Sequence, residues 1–427
     1  MNLVIKMRRA SLKIDLLLIY TISICVCYIL PFVKYSVSYV PEAIALLLTY
    51  LFYIESVGGI TKLLQKILFC SVGLMIMTLL VMHQGSAKES INEFVRSMRF
   101  FAPGLLYLMF FQRGAYGQRG MKYIFWVLSA LFAFICIRTI QGVREVPLLA
   151  RILASGELDE EMTRFRFQNV GGFEFCYAVG FILLAMFALF MIKRRPWEKV
   201  AAMTMVVFGA YFVVVVEYML LFLIVCIGCY ILAFSETKNV IGKFALILLL
   251  VVAPILIPVF FGFIQNMSGD MLSGKISSFL EFLTGEAVSI LGSRPRLYME
   301  AFLRFLSSPL WGNPASINGV EVAGMIENHS TLFGYLQGMG VFGGIFFYVP
   351  LIAMIREIRN TFYENYLMVK AYDVICAMFI VLSVVNPIQY CFEICFVVFL
   401  YIPCAVQVYV PGRRLDERWE YYGKVED

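Results

Sequence analysis

Residues 330–355 read STLFGYLQGMGVFGGIFFYVPLIAMI, a run with no charged side chain between His329 and Arg356. At about 1.5 Å of rise per residue this run is long enough to cross a hydrocarbon core of about 30 Å. A soluble helix of that length would set a charged face against its apolar stripe. This one offers water no such face, so the sequence assigns it to lipid.

Comparable runs extend outward along the chain at 12–31, 40–54, 63–82, 100–112, 122–140, 170–192, 200–216, 218–235, 244–263, 371–386 and 390–410. The sequence thus predicts an all-α, polytopic membrane protein of about twelve spans in a single membrane domain, 1–427. The run at 100–112 is short and is interrupted by Pro103 and Gly104. Residues 200–235 form one apolar stretch that we divide near Glu217 as a tight hairpin. With 61% hydrophobic and 15% charged residues and a mean hydropathy of +0.83, the chain has no room for a sizeable soluble domain. The first apolar run is followed by Pro31 and not by a small-residue cleavage pattern, so no cleaved signal peptide is expected. No nucleic-acid partner is expected.

Charge gives the orientation. With the N-terminus inside, well over half of the 35 basic residues fall in inner segments, among them Lys6, Arg8, Arg9, Lys62, Lys66, Arg113, Arg119, Lys193, Arg194, Arg195, Arg356 and Arg359. Both termini are then expected in the cytoplasm. Two outer loops, 141–169 and 264–329, are longer than connection requires. The first carries Arg144, Arg151, Arg164 and Arg166, and the second Arg294, Arg296, Arg304 and one of two histidines, His329. Cations on the side that the insertion rule disfavours suit an anionic ligand at the outer leaflet.

Several patterns carry no chemistry. The eleven cysteines lie almost entirely within expected spans and read as small packing residues, and Cys226 and Cys229, a CxxC, lack a metal-binding setting. Gly338, Gly340 and Gly343 spell GxGxxG but no strand precedes them; like the GxxxG of Gly334 and Gly338, they read as sites of close helix packing. Neither a Walker A sequence nor a DxD pair occurs, so no metal and no cofactor is expected.

Residues 293–312, SRPRLYMEAFLRFLSSPLWG, read as a helix at the outer surface. Ser293 suits the N-cap, Pro295 the first turn and Pro309 the stop. Arg296, Glu300 and Arg304 recur at four-residue steps beside an apolar stripe of Leu297, Ala301 and Phe305, which accounts for the two arginines as a salt-bridged ladder. Arg294 stands outside the ladder at the helix start, where free N–H groups and the dipole favour a phosphate. A solvated or headgroup-facing arginine is the plainer alternative. Downstream, His329 and Ser330 mark a span edge, where an imidazole can take a proton from a hydroxyl or simply hydrogen-bond at the interface.

Together these stretches resemble the O-antigen ligase and O-antigen polymerase superfamily, multi-span enzymes acting on polyprenyl-diphosphate-linked glycans. The family pattern of Arg, an aromatic, Pro and Gly is matched in every interval by Arg294, Tyr298, Pro309 and Gly312, although the aromatic is more often Trp. A second pattern is matched by His329, Ser330, Gly340 and Gly343. A weaker likeness lies in RFQNVGGFEFCY, 166–177, through Arg166, Gly171, Gly172 and Tyr177. The resemblance implies a GT-C-like bundle in the cytoplasmic membrane, with the active site on the outer face. It implies metal-independent, inverting transfer from an undecaprenyl-diphosphate-linked oligosaccharide, with membrane lipid, a chain-length regulator and a flippase as partners. His329 would be the base, with Glu327 as the alternative carboxylate, and Arg294 would stabilise the leaving diphosphate. Arg164, Arg166, Arg296, Tyr298 and Ser330 would bind the diphosphate and glycan. Polymerase is favoured over ligase by the glycine–aromatic stretch after Arg166 and the moderate outer loops, and a lipid-linked oligosaccharide flippase is the alternative of another class.

Overall fold

The structure is a computed structural model and describes residues 2–36, 39–81, 87–146, 149–155, 160–192, 196–237, 239–246, 248, 294–313, 330–362 and 366–409. Among the described residues every regular element is helical. That is what lipid demands, since a helix pairs its own N–H and C=O groups where no water can. Among the described residues, eight helices are long and apolar enough to span: Lys62–Leu80, Ser90–Phe111, Tyr116–Glu145, Phe173–Ile192, Glu198–Val215, Thr331–Asn360, Leu367–Val385 and Phe392–Tyr409. Leu16–Ile29 and Leu220–Glu236 are shorter apolar helices. The chain is therefore an all-α polytopic membrane protein. The run at 244–263 lies, beyond its first residues, outside the described part, as does most of the loop 264–329.

The hairpin expected at Glu217 is present. Pro196–Val215 ends, Glu217 turns the chain with φ 57°, and Met219–Glu236 begins. The run at 100–112 differs from expectation, because it is the second half of a continuous helix, Ala87–Phe111, with Pro103 inside it. Its first half carries Glu93, Arg96 and Arg99, whose charges break the hydropathy run but are paired in the fold.

The chain forms two compact units. The first comprises residues 1–131, 296–369 and 380–427. At its centre is Phe392–Tyr409, buried from Phe392 through Val406 and widened into a π-helix over Val397–Tyr401. Phe125 stacks on Tyr401 at 5.2 Å, and Phe100 meets Phe399 edge-on at 6.0 Å. Gly73 and Gly104 let neighbouring helices come close: a Cβ at Gly104 would lie 2.4 Å from the sulfur of Met354. The second unit comprises residues 132–295 and 370–379. Its central helix, Phe173–Ile192, is buried along nearly its whole length. Gly180 fits against Leu221, Gly228 against Leu184, and Ala188, Leu232 and Ala371 share a core with Phe187 and Val374.

Candidate active site

The two motif segments of the first unit meet by their backbones. The helix Thr331–Asn360 is broken at Gly340, which has φ 62° and ψ −157°. The turn after Arg294–Ser307 crosses at this break: Val341 N donates to Pro309 O at 2.8 Å and Asn313 N donates to Gln337 O at 2.7 Å. These bonds use groups that the break takes out of the helix ladder, as burial in lipid requires. Both glycines at the crossing have left-handed backbones, with Gly312 at φ 77°. A Cβ on Gly340 would lie 2.4 Å from Leu310 C and O, and one on Gly312 would lie 2.5 Å from Met339 N. Gly343 is held next, where a Cβ would meet Met339 Cβ at 2.5 Å and Tyr335 O at 2.9 Å. The glycine spacing therefore has a physical cause, a crossing that only hydrogen can fill.

The other motif residues brace this crossing. Tyr298 stacks on Phe333 with ring centres 5.1 Å apart, and its hydroxyl donates to Val385 O at 3.2 Å. Ser330 is the N-cap of the broken helix: its Oγ accepts from Phe333 N at 3.1 Å and donates to Val384 O at 2.6 Å. Thr331 donates to Asn386 O at 3.1 Å, accepts from Ile388 N at 2.8 Å and bonds the Gln389 side chain. Arg294 opens its helix, although its side chain and that of Arg296 are outside what is described. Glu327 and His329 also lie outside the described residues.

Beside this brace is a part-buried set of ion pairs that sequence reasoning did not name. One turn below Thr331, the hydroxyl of Tyr335 donates to Glu93 at 2.7 Å, and Arg96 pairs with the same carboxylate at 2.6 Å. Arg99 pairs with Glu42 and lies 3.3 Å from the ring centre of Phe392, a part-buried cation–π contact worth about 1 kcal/mol. Lys34 reaches Glu393 at 2.8 Å. Charges at this depth are stable because they are paired. The backbone of Gln337 serves the crossing, whereas its side chain, 2% exposed, has no partner for either amide atom among the described residues.

In the second unit Arg166 lies on the short helix Glu160–Phe167, donates to Leu153 O at 3.1 Å, and so ties two pieces of the 141–169 loop together. Arg164 is 62% exposed, 3.9 Å from Glu145 and beside the ring of Phe165. The following glycines pack: Gly171 N donates to Thr139 Oγ1 at 2.8 Å, and a Cβ there would strike Phe175. Phe173, Tyr177 and the hairpin residue Tyr218 form an aromatic cluster with centroids 4.7–5.8 Å apart. Of the expected site residues, the fold brings Tyr298 and Ser330 to one brace and places Arg164 and Arg166 together on another element. No protein-family model and no curated protein matches the chain.

Proposed function

We propose that this chain is a glycosyltransferase of the cytoplasmic membrane, with about twelve spans, that polymerises undecaprenyl-diphosphate-linked oligosaccharide repeats into surface polysaccharide. The observation that carries the reading is the Gly312–Gly340 crossing. Pro309 and Gly312 of one interval pattern pack against Gly340 and its neighbours of the other, so the helix opened by Arg294 and the helix that starts after Ser330 are joined at this crossing.

The chemistry asks for two things. A diphosphate leaving group needs its developing charge stabilised, and guanidinium groups do this as permanent, bidentate donors without a metal. Arg294 takes that role, with Arg296 as a further contact, and Arg164 and Arg166 offer the same chemistry to a diphosphate on the 141–169 loop. The acceptor hydroxyl needs a base; His329 supplies it, with Glu327 as the competing carboxylate. Tyr298 and Ser330 act as positioning residues. One displacement inverts the anomeric centre.

The test is purified full-length protein in detergent with lipid-diphosphate repeat units. A ladder of longer glycans is the expected product. Arg294→Ala should abolish the ladder while protein yield and monodispersity hold, and His329→Ala should slow it by about 10²- to 10⁴-fold. An unchanged ladder from Arg294→Ala overturns the assignment. Transfer only to an added lipid A core acceptor would make the protein a ligase, and no covalent product would point to transport.

A further inference from the structure

The helix Arg294–Ser307 and the turn after it present three distinct faces. One is packed on the first unit: Ala301 is 1% exposed, and Tyr298 is held by Phe333 and Val385. A second stripe, following the helical repeat, is polar and includes Glu300, Arg304 and Ser307. Between them lies a face of Met299, Phe302, Leu303, Leu306 and Leu310, all large, apolar and 43–59% exposed, continued by Trp311 at 53%. Water would meet an unbroken apolar patch there, which soluble surfaces avoid at this density.

The depth of this face follows from the helix it crosses. About 20 residues cross the hydrocarbon core, and counted back from Arg356 they reach the neighbourhood of residue 336. Tyr298, on Phe333, is then at the boundary, while Pro309 and Leu310, on Gly340 and Val341, are inside it. Two observations agree with that depth. The irregular backbone of the turn pairs Pro309 O and Asn313 N with the broken helix, as a position away from water requires. Trp311 rests on Phe342, 5.3 Å away, and the same helix carries the exposed Val341, Ile345, Val349 and Ile352, so the patch continues the lipid-facing surface.

We infer that Arg294–Trp311 is an obliquely inserted element of the leaflet at the Ser330 end of the bundle, with the Met299, Phe302, Leu303, Leu306, Leu310 and Trp311 face in the acyl chains of bilayer phospholipid. The occupant is lipid, not another segment of this chain and not a second copy. The inference rests on the membrane-spanning fold and is independent of the glycosyl-transfer reading.

The experiment places a benzophenone on each face of the full-length protein in phospholipid nanodiscs, as Phe302→p-benzoylphenylalanine, Leu306→p-benzoylphenylalanine and, on the polar stripe, Ser307→p-benzoylphenylalanine. After irradiation, intact-mass analysis should show single-phospholipid adducts at 302 and 306, several-fold more than at 307. Intrachain cross-links to residues 249–293 or 314–329 in place of lipid overturn the proposal. So do a doubled mass from a second copy, or equal lipid labelling at all three positions. Retention of a monodisperse peak by each variant shows that the readout comes from the folded protein.

Discussion

Gly340 carries more of the architecture than its side chain of one hydrogen suggests. Gly340→Ala would place a methyl group against Leu310 at φ 62° and ψ −157°, a backbone region that is essentially glycine's alone and whose conformational cost is about 1–3 kcal/mol. Gly344 is the control, because a Cβ there meets Leu336 at an ordinary 3.5 Å. Gly344→Ala is expected near neutral, or stabilising by up to about 1 kcal/mol. Thermal unfolding of the two purified variants, followed by size-exclusion recovery, separates them, and equal losses would mean that the crossing is not what demands glycine. Tyr298→Phe keeps the stack on Phe333 and loses one hydrogen bond, so about 1 kcal/mol is expected in the same assay. The glycines were legible in the sequence as points of close approach. Their partner was not, because GxGxxG and GxxxG spacings describe helix against helix, whereas here a helix break meets a turn thirty residues earlier in the chain.

The helix Ala87–Phe111 shows why boundaries are harder to read than existence. Its apolar half, from residue 100, stood out in the sequence, and its charged half resembled a loop. What holds the charges of that half in the fold is pairing with residues remote in sequence: Glu42 is 57 positions from Arg99, and Tyr335 is 242 from Glu93. Hydropathy windows cannot register such partners. The pairing is testable. Arg99→Met leaves the part-buried Glu42 carboxylate without its cation and should cost about 1–3 kcal/mol. The double variant Arg99→Met with Glu42→Met should cost less than the sum of the singles by at least about 1 kcal/mol, measured as thermal stability in detergent. Strict additivity would show that the pair is not coupled. On the helix Arg294–Ser307 the four-residue charge ladder was visible in the sequence, but the exposed Met299, Phe302, Leu303 and Leu306 face became apparent only once Tyr298 and Ala301 were seen to take the protein side.

Across the whole molecule, the distribution of Lys and Arg makes an orientation prediction that the helices themselves do not. Reporter fusions after Lys62, Gly117 and Arg195 should give cytoplasmic signal, and fusions after Ser155 and Asn313 should give export-dependent signal; the reverse pattern would invert the proposed active-site face. The all-α class was legible from composition, since runs this apolar leave the backbone no other way to pair in lipid. The grouping into two units was not legible. The first unit draws residues 1–131 together with 296–369 and 380–427, so long-range packing, not chain order, defines it. The Lys34–Glu393 pair spans 359 positions. At ribosomal rates of about 5–20 residues per second, roughly 20 to 70 s separate the synthesis of the lysine from that of its carboxylate. Throughout that interval the lysine is without this carboxylate, so the contact forms only after the helix that begins at Phe392 has been made.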